Sequence, residues 1–189
     1  MTDLSEDEAF CQQCYTGAID RRIGYCCDMT EGFRTRLITE EAGRPLRWTY
    51  LRPGATTGGT IYDQAPDAFH VGVFAEADLV GSASLLLEDQ AGGVTPGNWR
   101  LRGMVTHPDW RGREVGSRAL AFAIAELEHR SASLVWCNGR SSALSFYRRH
   151  GFQTVGEEFE TPGTGPHYRL IRSLGTAPTP LAGAPEEPK

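Results

Sequence analysis

The segment His107–Leu120, HPDWRGREVGSRAL, constrains the fold more than any other part of the chain. Two glycines, Gly112 and Gly116, and three arginines, Arg111, Arg113 and Arg118, stand where loop residues give way to a helical pattern. Leu120, Ala123, Ile124 and Leu127 recur at i, i+3, i+4 and i+7, so the helix lays one apolar stripe against a sheet. Val115, Ala119 and Phe122 make a second apolar line, which predicts cover on two sides. The first N–H groups of a helix have no partner within it, and the helix dipole makes that end positive. Glycine lets backbone approach a ligand closely, and arginine adds charge-assisted bonds to phosphate. Arg111–Ser117 therefore reads as a cradle for a phosphate chain, with a pyrophosphate as its natural occupant. A solvated, arginine-rich helix start would look the same, and the segment alone does not choose between the two. Glu114 sits where such a loop would usually offer a bare glycine. Its carboxylate can turn outward, where it suits the dipole, or it can repel the phosphates.

Around this segment the pattern is strand-rich. FHVGVF and LVGSASLLL flank the turn AEAD and predict a hairpin. NWRLRGMV alternates, with Trp99, Leu101, Gly103 and Val105 on one face and Arg100, Arg102 and Met104 on the other. SLVWC reads as a buried strand. SSALSFYRRH reads as a short helix capped by Ser141 or Ser142 and stopped by Gly151. FQTVGEEF and HYRLIRSL are the closing strands. Upstream, TRLI is a strand, and Thr39 caps a helix EEAGRPLRWTYL that should break or bend near Gly43 and Pro45. Antiparallel strands followed by strand–helix–strand–helix–strands give a mixed α/β fold.

The ends differ in character. The first 33 residues lack a core pattern, although Ser5 and Glu8 could open a short helix as a capping box. Four of the five cysteines, Cys11, Cys14, Cys26 and Cys27, crowd into this stretch. Adjacent Cys26 and Cys27 diverge, so the spacing misses the paired zinc pattern. Reduced thiols in a helical extension are the expected state, and no metal is expected. Residues 34–174 form the domain, with a long Gly/Thr-rich loop at 52–68. The Pro/Ala-rich stretch 175–189 reads as a disordered tail. Net charge is -5, which implies no general attraction to nucleic acid. No apolar run is long enough to cross a membrane, and the acidic N-terminus lacks the order of a signal peptide. A cytoplasmic protein is expected.

Two signatures in sequence order lift the cradle above chance. LRGMVTHPDWRGREVGSRALA resembles the acetyl-CoA-binding motif of the GNAT superfamily of N-acetyltransferases, Arg/Gln-x-x-Gly-x-Gly/Ala after a strand. Here it runs Arg111-Gly112-Arg113-Glu114-Val115-Gly116, with Glu114 in place of the first glycine. LVWCNGRSSALSFYRRHGF is similar to the family's second signature, carrying Ala143, Phe146, Tyr147, Gly151 and Phe152. YLRPG, FHVGVFAEADLVGSASLL and GPHYRL look like a small bacterial subgroup of unassigned substrate. The resemblance covers about Arg34–Leu174.

The resemblance implies a mixed, mostly antiparallel sheet flanked by helices and split into a V between WRLRGMV and SLVWC, with acetyl-CoA in the split. Met104, Val105 and Thr106 would bond the pantetheine arm through their backbone, in the manner of an added strand. Arg111, Gly112, Arg113, Glu114, Val115, Gly116 and Ser117 would hold the pyrophosphate. Asn138, Ala143, Phe146 and Tyr147 would lie toward the thioester end.

The implied activity is direct N-acetyl transfer from acetyl-CoA to the amine of a small molecule. A non-catalytic acyl-CoA-binding or sensor domain, and an acyltransferase using a larger acyl-CoA, are the alternatives. Tyr147 matches the family's general acid, and the Val105 amide would polarise the thioester carbonyl. The strand NWRLRGMV carries no carboxylate, so candidates for the base come from elsewhere: Glu88 and Asp89, Glu157 and Glu158, His107, and His167, or water. Cys137 reads as a buried strand residue. Members of this family often pair through sheet edges, which leaves a homodimer open.

Overall fold

A computed structural model describes residues 28–30, 32–51, 65 and 67–175. Eight strands form one sheet: β1 (Asp28–Thr30), β2 (Phe33–Ile38), β3 (Phe69–Ala75), β4 (Asp78–Leu87), β5 (Asn98–Thr106), β6 (Leu134–Arg140), β7 (Gln153–Thr161) and β8 (Gly165–Ser173). Their spatial order is β1-β2-β3-β4-β5-β6-β8-β7. Three helices, α1 (Glu40–Leu51), α2 (Val115–His129) and α3 (Leu144–Arg149), complete the described domain. Every neighbouring pair is antiparallel except β5–β6. No helix among the described residues is long and apolar enough to cross a membrane. The Ser5 helix, Cys11, Cys14, Cys26, Cys27, most of the 52–68 loop and the tail from Thr176 lie outside the described residues.

The expected hairpin forms with Glu76 and Ala77 as its turn, since Ala75 pairs with Asp78 and Glu76 takes a left-handed φ of 52°. Thr39 caps α1, its hydroxyl accepting the Ala42 N–H at 3.2 Å. The helix runs through Pro45 from Glu40 to Leu51 without the expected break. Buried Leu46 and Arg47, just beyond the proline, hold it to the sheet, and Arg47 reaches back to the Glu40 carboxylate across that turn. The extension contributes β1, which pairs with β2, so the sheet begins earlier than residue 34. The short helix near residue 141 also differs from expectation. A 3-10 turn, Ser141–Ala143, precedes α3, and no serine caps it, because the Ser141 hydroxyl donates to the Glu158 carboxylate instead.

The core lies between α2 and one face of the sheet. Val71, Val73, Leu85, Leu101, Val115, Leu120, Leu127 and Val135 are all nearly inaccessible to solvent and belong to one cluster. The stripe Leu120, Ala123, Ile124, Leu127 is buried as the spacing predicts. α1 covers the other face.

Candidate active site

β5 is where the site begins. It pairs with β6 through three residues only, Asn98–Leu134, Trp99–Val135 and Arg100–Trp136. Beyond Arg100 the two strands part, and the sheet opens into the V. A bulge sets this geometry. The β4–β5 register shifts between Ser82 and Ser84, so Gly103 and Met104 together oppose Ala83. Gly103 sits at φ 57°, a conformation that costs a side chain dearly. A Cβ there would also lie 2.6 Å from Cδ of buried Arg47.

The bulge changes the strand's phase, which corrects two expectations. Simple alternation puts Gly103 and Val105 with Trp99. Instead Val105 pairs with Ser82 on the α1 face, and Met104 turns toward the α2 face, where the Tyr147 hydroxyl lies 3.8 Å from its Sδ. The His107 N–H donates to Val80 O at 2.8 Å, in phase with the Val105–Ser82 pair. The peptide groups of Val105 therefore point to β4, and its amide is turned away from the split. Met104 and Thr106 direct theirs into it.

At the mouth of the V, Pro108–Trp110 makes a 3-10 turn that leads into α2. Gly112 takes φ 75°. Glu114, the N-cap of α2, takes φ 60° and ψ 3° with no side-chain capping bond. It is a non-glycine residue in left-handed backbone, so the glycine at this place in the usual motif has a conformational meaning that Glu114 obeys at a cost. A cavity of about 360 Å³ lies between β5, the start of α2 and α3. Met104, Val105, Thr106, Arg111, Gly112, Glu114, Val115, Gly116, Ser117, Ala143, Phe146 and Tyr147 line it, and all were expected from sequence. Gly116 faces the Phe146 ring, where a Cβ would stand 3.5 Å away.

The cavity also brings in Trp110 and Arg149, which sequence reasoning missed. Arg149 follows Tyr147 by two on α3, and its basic character was the available signal. Arg113 does not line the cavity; its guanidinium lies 5.0 Å from the centre of the Trp110 ring. Asn138 is also outside the lining, on the face of β6 opposite Cys137. His107 accepts or donates to the Tyr50 hydroxyl at 2.8 Å. None of the six candidate bases lines the cavity. The Glu88 carboxylate pairs with Arg100 at the closed end of the V, and Arg100 precedes Met104 by four residues, about 13 Å of strand. His167 is buried at the start of β8, with Nδ1 2.7 Å from Gly165 O and its ring beside Phe159.

Tyr147 is the residue around which the deep end is arranged. It is buried, its ring set edge-on to Phe146 and Phe152. Gly139 makes room for it, since a Cβ there would meet Tyr147 Cε2 at 2.8 Å. Burial first, and then the neighbouring Cys137, hold its hydroxyl well above the ordinary tyrosine value. Burial likewise pushes the Cys137 thiol up to about 12, only partly offset by the Tyr147 hydroxyl and Arg100. A buried neutral phenol thus faces an open strand edge, with a helix N-terminus at the other end of the same cavity.

The sequence profile of the Acetyltransferase (GNAT) family matches residues 35–152. The chain belongs to the GNAT acetyltransferase family. Membership makes it an acyl-CoA-dependent acyltransferase. This GNAT chain is 31% identical over 144 residues to the uncharacterised N-acetyltransferase YitI of Bacillus subtilis (strain 168), covering 75% of this chain and 97% of that protein. Among solved structures, the ribosomal-protein-S18-alanine N-acetyltransferase from Escherichia coli has the same fold, with a TM-score of 0.64 at 15% identity, covering 80% of this chain and 99% of that one. An aminoglycoside 6'-N-acetyltransferase complexed with coenzyme A superposes at a TM-score of 0.58 with 14% identity, covering 73% and 92%.

Proposed function

We propose that the protein transfers an acetyl group from acetyl-CoA directly to the amine of a small molecule. The observation that carries this reading is the open edge of β5, which joins the α2 N-terminus to the Tyr147 hydroxyl through one continuous cavity. CoA is long, flexible and anionic at one end, so it needs an anchor and an extended groove. The amides at the start of α2, with Arg111 and Arg149, suit the pyrophosphate. Met104 and Thr106 suit the pantetheine arm, as an added strand would be held. The Met104 N–H, at the bulge, would polarise the thioester carbonyl.

In the reaction the amine nitrogen attacks the carbonyl carbon, the C–S bond breaks, and the nitrogen's proton passes to solvent. Tyr147 gives its proton to the departing sulfur and regains one from solvent. A phenol held well above its ordinary value stays protonated through the neutral range and can act as this acid. Cys137, with its thiol pushed up to about 12, takes no part as a nucleophile.

A thermal-shift titration tests the binding half. Acetyl-CoA at ~100 times its dissociation constant should add about 2.7 kcal/mol of stability. A saturable rise in melting temperature, followed by CoA release when amines are supplied, is the expected result. No rise at millimolar acetyl-CoA would overturn the reading.

A further inference from the structure

On the reading above, an acceptor would meet the thioester from the face of the split that Tyr147 does not occupy, and that face has a particular chemistry. On β6, Cys137 turns toward Tyr147, so alternation turns Trp136 and Asn138 toward the α1 face. Arg169 of β8 pairs with Asn138 in register and shares its face, its guanidinium 5.3 Å from the centre of the Trp136 ring. Arg100 lies over the same ring at 4.4 Å, but its charge is matched by Glu88. Arg169 has no carboxylate partner among the described residues; its one side-chain hydrogen bond there is from Nη1 to Gln90 O at 3.5 Å. Beside it, Oδ1 of Asn138 is buried and accepts no hydrogen bond. Across the open split, Arg102 stands where the β5–β6 register, continued past Arg100–Trp136, would have placed it against Asn138.

Among the described residues, this edge of the split thus holds a guanidinium without a counter-charge next to a buried carbonyl oxygen that no protein group fills. A simple amine could fill the acceptor but would bring a second positive charge to Arg169. An amine that also carries a carboxylate satisfies both groups: N–H to Asn138, and two oxygens to the guanidinium fork. We propose that the acceptor is a carboxylate-bearing amine, with Arg169 binding the carboxylate and Asn138 Oδ1 receiving a hydrogen bond from the reacting amine. This rests on the transferase reading and adds the substrate class to it.

The test is CoA-thiol release by the full chain with the protein α-amino acids, each set against its decarboxylated amine and its carboxamide. Release confined to the carboxylated members is expected. Arg169→Met should raise KM for those acceptors about ten- to a hundredfold and leave KM for acetyl-CoA unchanged, and Arg169→Lys should recover part of the loss. Asn138→Ala, which leaves Arg169 and Trp136 in place, should raise the same KM. Equal or faster release with decarboxylated amines, an unchanged KM in Arg169→Met and Asn138→Ala, or release with none of the three sets would overturn the proposal. Calorimetry with acetyl-CoA on the same preparation separates the two levels. If acetyl-CoA binds while these outcomes hold, only the acceptor class is wrong; if it does not bind, the transferase reading falls as well.

Discussion

Replacing Glu114 should tighten the hold on CoA with little change in the stability of the free protein. In the free protein one effect is opposed by two others. A side chain at φ 60° costs about 1–2 kcal/mol against glycine. Glycine, however, gives back about 0.4–1 kcal/mol through the larger entropy of the unfolded chain, and the lost carboxylate at a helix start gives back about 0.3–1 kcal/mol more. Glu114→Gly should therefore melt close to the parent. Binding has no such compensation. With Glu114 exposed, a carboxylate set at ~6 Å from each of two pyrophosphate charges in a water-like dielectric would contribute a repulsion of ~1.4 kcal/mol, or about tenfold in Kd. Calorimetric Kd values for acetyl-CoA should fall about tenfold in both Glu114→Gly and Glu114→Gln, since both lose the charge and only one loses the left-handed side chain. The gain should shrink at 0.5 M salt, where screening is strong. Unchanged Kd values in both variants at low salt would refute the placement of the pyrophosphate at the start of α2.

Three further changes test the deep end of the site. Tyr147→Phe should lower kcat about 10²- to 10⁴-fold while leaving the calorimetric Kd for acetyl-CoA within about twofold, and an unaltered kcat would remove Tyr147 as the acid. Gly103→Ala should lose at least ~1–2 kcal/mol in denaturant unfolding, because φ 57° admits a side chain poorly and its Cβ would strike Arg47, and it should weaken acetyl-CoA binding by disturbing the bulge. The Cys137 thiol is raised in the folded state, so the unfolded chain gives up that proton first and stability falls as pH rises from about 9 toward about 12. The alkaline slope of the melting temperature should be shallower in Cys137→Ala than in the parent.

Much of the cofactor side could be read from the chain because its signals are local. The cradle is seven consecutive residues, and its demands are a helix start and backbone freedom; twelve of the fourteen residues expected on the cofactor side line one cavity. The helix stripe at Leu120, Ala123, Ile124 and Leu127 follows from a 3.6-residue period and is buried accordingly. What sequence could not supply depends on pairings between distant segments. Arg149 reaches the cavity from α3, whose placement against the start of α2 no local pattern records, whereas Trp110 directly precedes the cradle. Glu88 looked available as a base only because its partner, Arg100, lies on another strand.

The case of Val105 and Met104 shows how a single residue can hide such information. Alternation along NWRLRGMV is regular as text and puts Val105 on the face of Trp99 and Leu101, while the resemblance implied the Val105 amide as the group that polarises the thioester. One extra residue at the Gly103 bulge reverses the phase beyond that point, so the amide facing the split belongs to Met104. The glycine was visible, and glycine inside a strand often marks a bulge or a close approach. Here it marks both. Its left-handed backbone accommodates the extra residue, and its missing Cβ admits the buried Arg47 of α1. The helix before the site, the bulge and the open strand edge are therefore one arrangement. A change at Arg47, far from any phosphate, should be felt at the thioester end of the groove before it is felt at the cradle.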